Sequence, residues 1–152
     1  MKGGGIMGEI HDLRCEKCGY GIKTWLGIGM MYSPEMIFEG TDPSLVELVD
    51  DEQISTSALE LVKTGAEIND HYGHALYACT NDFYLFNKFY FKIDEMEPEY
   101  PCPYCDNTLK RITFAKGRAG VTRLQFIDDE KFWHCPKCGN DSMNEVSFSN
   151  WD

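Results

Sequence analysis

The sequence predicts an α+β protein that consists mostly of small β-sheets, with a helical insert in its first part. Three observations predict this class. Six of the seven cysteines form three pairs with the same two-residue spacing. Short segments with alternating apolar residues surround the late pairs, and apolar residues recur at helical spacing within residues 41–65. At 152 residues, the chain is long enough for one domain or two very small ones.

The composition excludes several classes of protein. Hydrophobic residues make up 43% of the chain, which is enough for a packed core and excludes disorder over most of its length. The chain has 14 basic and 25 acidic residues, a net charge of -11. Such a surface repels phosphate backbones and anionic lipids, so we expect no general nucleic-acid binder and no membrane-surface protein.

The cysteines must be explained without disulfide bonds. The longest apolar run, residues 25–32, is far shorter than the roughly 20 residues that cross a bilayer, and the amino terminus lacks the apolar stretch of a secretion signal. The sequence therefore predicts a cytoplasmic protein, in which thiols stay reduced.

The paired cysteines are typical zinc ligands. A Cys-x-x-Cys turn places two sulfur atoms on one side of a tight loop, and two such turns complete the tetrahedral shell that zinc prefers. The residue after each pair, Gly19, Asp106 or Gly139, tolerates a positive φ angle, as these turns often require. The pattern predicts two structural zinc ions. The paired residues are Cys15 and Cys18, Cys102 and Cys105, and Cys135 and Cys138.

The last two pairs are predicted to share one ion in a C-terminal zinc ribbon at residues 101–152. The stretch between them suits a β-hairpin, because residues 109–114 and 121–126 are β-prone and flank a glycine-containing turn. A closing strand is predicted at residues 145–148.

The first pair needs two further ligands, which defines a first module at residues 7–100. Cys79 is the obvious third ligand, and Asp82 occupies the place of the second cysteine of a pair, where a carboxylate is an acceptable zinc ligand. His74 and His71 are the rival candidates for the fourth position. A water molecule there would instead resemble a catalytic zinc site.

The long connection between Cys18 and Cys79 predicts a helical insert at about residues 41–65. Asp42 and Pro43 are typical of a helix start. The acidic residues 50–52 interrupt the pattern, Ser57 and Glu60 suggest a capping box for a second stretch, and Gly65 ends it.

The chain resembles a group of bacterial proteins with two zinc ribbons. The resemblance rests on Cys15-Glu-Lys-Cys18-Gly-Tyr, on Leu26-Gly-Ile-Gly-Met-Met-Tyr, on Leu76-Tyr-Ala-Cys79 and on the two late pairs. It implies a fold with two ribbons and a helical insert between the early ligands. The group usually has a cysteine where this chain has Asp82. The resemblance implies no settled activity.

The motifs favour a binding role over catalysis. No convincing catalytic set is present, so the chain is predicted not to be an enzyme but a protein-interaction or adaptor module with a protein partner. One alternative is a nucleic-acid or transcription-associated ribbon that uses the basic hairpin at residues 110–123. The other is a zinc hydrolase at an incomplete first site. The basic residues of the hairpin are Lys110, Arg111, Lys116, Arg118 and Arg123.

Overall fold

The computed structural model describes residues 8–27, 37–38, 45–69, 71–115, 121–127 and 131–151. Antiparallel strands dominate this part of the chain, and two short helices lie between the second and third strands, as expected for the predicted class. None of the described helices is long and apolar enough to cross a membrane. The strands are β1 Gly8–Cys15, β2 Gly21–Leu26, β3 Gly73–Cys79, β4 Leu85–Tyr90, β5 Leu109–Ala115, β6 Val121–Phe126 and β7 Met143–Trp151, and the helices are α1 Leu45–Val49 and α2 Glu52–Lys63.

The seven strands follow the order β2-β1-β7-β6-β5-β3-β4. Strand β1 pairs along its whole length with β7, so the early and late parts of the chain lie side by side. The predicted hairpin forms from β5 and β6. Gly27, just after β2, exchanges two backbone hydrogen bonds of 2.8 Å with His74 of β3. The sheet therefore curves back toward itself.

The sheet separates two apolar cores. Leu76 and Ala78 of β3 pack with Leu124 and Trp133 in the core enclosed by the curved sheet. Tyr77, the neighbour of both, points to the opposite face, because successive side chains of a strand alternate. The second core lies on that face, beneath the helices. Strand β3 is thus buried on both faces.

The helical insert is broken near the predicted position, but its cap differs from the prediction. Asp50 has a positive φ of 54° beyond the end of α1, and the carboxylate of Asp51 accepts a hydrogen bond from the Ile54 amide at 3.0 Å. Asp51 is therefore the N-cap of α2. The predicted capping box is wrong, since Ser57 and Glu60 lie inside α2. Asp42 and Pro43 lie outside the described residues.

The helix α2 ends as predicted. Its C-cap is Thr64, and Gly65 follows with a φ of 90°. The amides of Gly65 and Ala66 donate to the carbonyl groups of Val62 and Leu61. This is the hydrogen-bond pattern of a Schellman motif, in which glycine supplies the left-handed residue.

Candidate metal centres

Four turns with the same geometry carry the candidate ligands, and we call them knuckles 1 to 4. In knuckle 1 the Cys15 amide donates to the Tyr20 carbonyl at 2.7 Å, and the Gly19 amide donates back to the Cys15 carbonyl at 3.1 Å. The same two bonds form in knuckles 2, 3 and 4, which begin at Cys79, Cys102 and Cys135. The chain therefore repeats one local structure four times.

A positive φ angle recurs at the fifth residue of each knuckle. Gly19 and Gly139 each have a φ of 80°, and Asp106 has a φ of 67°, as predicted from the residues that follow the pairs. Knuckle 2 takes the same conformation although its fifth residue is Phe83, with a φ of 64°. For a residue with a side chain this costs roughly 1–2 kcal/mol.

Tertiary contacts hold Phe83 in this conformation. The indole nitrogen of Trp133 donates to the Phe83 carbonyl at 2.7 Å, and the Phe83 ring lies against Phe126 and His134. These contacts offset the backbone strain, so the Cys79-x-x-Asp82 segment forms a true knuckle.

Knuckles 1 and 4 together form the group of ligands that we call cluster A. Its members are Cys15, Cys18, Cys135 and Cys138, whose sulfur atoms all lie within 4.8 Å of one another. The Sγ atoms of Cys15 and Cys138 are 3.5 Å apart. This distance is far longer than a disulfide bond of about 2.05 Å. It is close to the spacing of about 3.8 Å that follows from tetrahedral zinc with Zn–S bonds of about 2.3 Å.

Knuckles 2 and 3 form cluster B, which contains Cys79, Asp82, Cys102 and Cys105 within the same 4.8 Å limit. The Sγ atoms of Cys79 and Cys105 are 3.3 Å apart, and Asp82 Oδ2 is 3.4 Å from Cys102 Sγ. Three thiols and one carboxylate can thus surround a single ion. Both clusters have the donor atoms and spacing to hold zinc.

The rival histidines are not members of either cluster. His74 is five residues before Cys79 in β3, and an extended chain places them about 16 Å apart. Its ring instead packs edge-on against Phe89 with centroids 5.5 Å apart. Burial lowers the pKa of His74, so its imidazole stays neutral. The His71 amide donates to the Asn69 side chain.

The predicted grouping of the pairs is wrong. Cys102 and Cys105 do not share a group with Cys135 and Cys138, and Cys79 and Asp82 do not complete the group of Cys15 and Cys18. Each cluster instead combines an early and a late knuckle, so each crosses the predicted boundary between residues 100 and 101.

Strand pairing explains this grouping. Cys15 lies opposite Met143 where β1 pairs with β7, and knuckle 4 immediately precedes β7. Cys79 lies opposite Leu109 where β3 pairs with β5, and knuckle 3 immediately precedes β5. The number of residues between two knuckles indicates only whether a hairpin could connect them. The observed grouping depends instead on pairing between strands that are distant in the sequence.

Thiol ionisation differs within each cluster of the metal-free protein. Burial raises the pKa of Cys135 to about 12 and that of Cys102 to about 12. At Cys15 burial also acts to raise the pKa, but backbone N–H groups of Cys18 and Lys17 and neighbouring thiols outweigh it and lower the pKa to about 6. In cluster B, the backbone N–H of Asn107 lowers the pKa of Cys105, so each cluster contains one thiol whose ionised form is favoured.

Metal binding should release at least two protons from each cluster at pH 7. The pKa values of Cys135 and Cys138 in cluster A, and of Cys79 and Cys102 in cluster B, are raised, so these thiols are protonated before zinc displaces their protons. The apparent affinity should therefore rise with pH by about 100-fold per unit near neutrality. Below the Cys15 pKa of about 6, cluster A should depend on pH still more steeply.

Calorimetric zinc titrations in buffers of different protonation enthalpy count the released protons. Fewer than two protons per ion, or an affinity that does not change between pH 6 and pH 8, would contradict this assignment.

In the described part of the chain, the basic residues of the predicted nucleic-acid site lie on both faces of the sheet. Lys110 and Arg111 are adjacent in β5, so their side chains leave opposite faces of the sheet. Arg123 of β6 lies opposite Ala115 of β5, on the face that Arg111 shares. Lys116 and Arg118 lie outside the described residues.

The two described arginines of this set, Arg111 and Arg123, stack on aromatic rings. The Arg111 guanidinium lies 3.7 Å from the centroid of Tyr90, and the Arg123 guanidinium lies 3.7 Å from that of Phe132. Arg123 also forms an ion pair of 3.2 Å with Asp141. These contacts give the arginines a role within the fold.

Comparison of the chain with protein-family models, with curated proteins and with solved structures found no match.

The structure also shows aromatic residues beside the knuckles that the motif analysis missed. Trp133, Tyr84 and Tyr104 connect knuckles to one another. The sequence indicates these residues only as aromatic residues that lie within a knuckle or near one.

Proposed function

We propose that this protein is a cytoplasmic protein-interaction module in which two zinc ions hold the binding surface in shape. The observation that carries this proposal is a partly exposed aromatic surface built directly on the knuckles. We call it the tyrosine surface. Its members are Tyr20, Tyr84, Phe86, Tyr104 and Lys137.

Tyr104 is the most exposed member of the tyrosine surface, with 69% of its area accessible. It lies between the two cysteines of knuckle 3, and its ring packs against Tyr84 and Phe86 at centroid distances of 5.1 and 6.1 Å. The backbone of knuckle 3 thus holds an aromatic ring in a solvent-exposed position, which is unfavourable for an apolar group. Rigid aromatic anchors of this kind are typical of binding hot spots.

The rest of the tyrosine surface joins the two clusters. Tyr84 of knuckle 2 contacts Tyr20 of knuckle 1 at a centroid distance of 6.0 Å. The Lys137 ammonium of knuckle 4 lies 5.6 Å from the Tyr84 ring. All four knuckles therefore contribute to one surface. This supports a structural role of the two metal sites in holding that surface in shape.

The chemistry of the clusters supports a structural metal more than a catalytic one. Each cluster supplies four ligand atoms, which fill a tetrahedral shell, whereas catalytic zinc keeps one position for water. A protein partner also suits the charge of the chain better than a phosphate backbone, because the net charge is -11.

A photocrosslinking amino acid at position 104 tests this proposal. In an extract of the natural host we expect one discrete adduct, which unlabelled protein competes away and the Tyr104→Ala variant does not. The same crosslinker at Val146, which is 62% exposed on β7, is the matched control. Equal adducts from both positions, or competition by Tyr104→Ala, would contradict the proposal.

The Tyr104→Ala variant should keep both metals and nearly the same melting temperature, because its ring is mostly exposed. Loss of zinc in this variant would give Tyr104 a role in the fold instead of in binding.

A further inference from the structure

Two hydrogen bonds in the described part of the chain join the segments around the knuckles of the two clusters. Trp133 lies two residues before Cys135 of cluster A and is fully buried. Its indole N–H donates to the carbonyl of Phe83, the residue that follows Asp82 of cluster B, at 2.7 Å. Beside it, the Leu85 amide donates to the Tyr20 hydroxyl at 3.0 Å, and the Tyr20 ring stacks on Trp133.

The Trp133 contact depends on an unusual backbone conformation. Phe83 has a φ of 64°, a region that bulky residues rarely adopt. Its amide donates to the Cys79 carbonyl at 3.0 Å, which closes knuckle 2. A metal ion held by Cys79 and Asp82 would fix both ends of this turn. Without the ion, only the hydrogen bonds of the turn and the tertiary contacts oppose the return of Phe83 to an ordinary conformation.

We propose that the two metal sites are coupled through the contact between Trp133 and Phe83, so that emptying cluster B weakens metal binding at cluster A. This inference rests on the proposed structural role of the metals. When knuckle 2 relaxes, the Phe83 carbonyl moves away from the Trp133 indole, and a fully buried donor loses its partner. Trp133 lies two residues before Cys135, so a shift of the Trp133 side chain changes the position of this ligand in knuckle 4.

The chemistry of the ligands sets the order of metal loss. Cluster B replaces one thiolate with the carboxylate of Asp82, whereas cluster A has four thiolates, the ligands that suit zinc best in structural sites. Cluster B therefore empties first as zinc becomes scarce. Because binding free energies are linked reciprocally, cluster A also supports cluster B. The protein thus responds to zinc supply as one unit, and the tyrosine surface between the clusters responds with it.

Zinc affinity at cluster A, measured by chelator competition, tests the coupling. We expect about tenfold weaker binding at cluster A in Asp82→Ala, whose cluster B is empty, than in Asp82→Cys, whose cluster B stays filled, within the range typical of coupled sites. The Cys105→Ser variant empties cluster B by another route and should give the same change. The Asp82→Cys variant serves as the reference because a fourth thiolate keeps cluster B filled while cluster A is titrated.

The Trp133→Phe variant identifies the route of coupling. It removes the indole N–H but keeps an aromatic ring, so the effect of Asp82→Ala on cluster A should fall from about tenfold to less than about threefold. Trp25→Phe is the matched control, because Trp25 lies on β2, where it is 40% exposed, and this variant should keep the full effect. An undiminished effect in Trp133→Phe would overturn the proposed route.

Two outcomes separate the coupling from the structural role of the metals. If the unchanged protein binds two zinc ions but Asp82→Ala and Asp82→Cys bind zinc equally tightly at cluster A, the coupling is wrong but the structural role stands. If the unchanged protein keeps its fold after both ions are removed, the structural role itself fails.

Discussion

Replacement of Cys135 by serine should empty cluster A and unfold the chain. Cluster A ties β1, near the start of the described chain, to the knuckle that precedes β7. Structural zinc contributes roughly 10–16 kcal/mol at neutral pH, whereas the whole stability of a domain is about 5–15 kcal/mol. Loss of this ion therefore removes free energy comparable to the whole stability of a domain, and cluster A, with four thiolate ligands, contributes more of it than cluster B. We expect insoluble protein, or a soluble chain without cooperative thermal unfolding.

Lys137→Ser is the matched control for Cys135→Ser. Lys137 lies in the same knuckle, between the two cysteines, and its side chain is exposed. This variant should bind two ions and unfold at nearly the normal temperature. A Cys135→Ser protein that keeps a native circular dichroism spectrum with cluster A empty would contradict the structural role of the metal.

Replacement of Asp82 by alanine should weaken zinc binding at cluster B by more than about 100-fold. Even a residue that only orients a zinc ligand contributes about 10–100-fold to affinity, and Asp82 is assigned as a ligand itself. Water would fill the vacated position. Cluster A should still hold its ion at saturating zinc, so the metal content should fall toward one ion per chain when chelator is added.

The Asp82→Cys variant should restore full chelator resistance to cluster B. The four backbone knuckles share one geometry, so a cysteine at this position would complete a fourth Cys-x-x-Cys turn. His74→Ala is the control for the rival ligand and should leave the metal content unchanged. An unchanged metal content in Asp82→Ala together with an empty cluster B in His74→Ala would overturn the assignment.

The local structure of this protein could be predicted well from its sequence. The Cys-x-x-Cys spacing and the small residues after it identify knuckles 1, 3 and 4. Alternating apolar residues identify β5 and β6, of which Ile112, Leu124 and Phe126 are buried in one core. Gly65 identifies the end of α2. Each of these signals acts within a few residues, where propensity and hydrogen bonding decide the structure.

The grouping of the knuckles could not be predicted in this way. It depends on the pairing of β1 with β7 and of β3 with β5, which join residues far apart in the sequence. The cap at Asp51 was missed because Ser57 and Glu60 match a capping box, although α2 begins at Glu52 and contains both residues. The conformation of Phe83 depends on its contact with Trp133, and no local signal reports it.

Cadmium NMR of the protein reconstituted with a spin-active cadmium isotope tests the grouping of ligands most directly. Scalar coupling between each cadmium and the Hβ protons of its cysteines shows which residues share an ion. We predict that Cys15, Cys18, Cys135 and Cys138 couple to one cadmium resonance, and that Cys79, Cys102 and Cys105 couple to a second. A single resonance coupled to Cys102, Cys105, Cys135 and Cys138 would contradict the account.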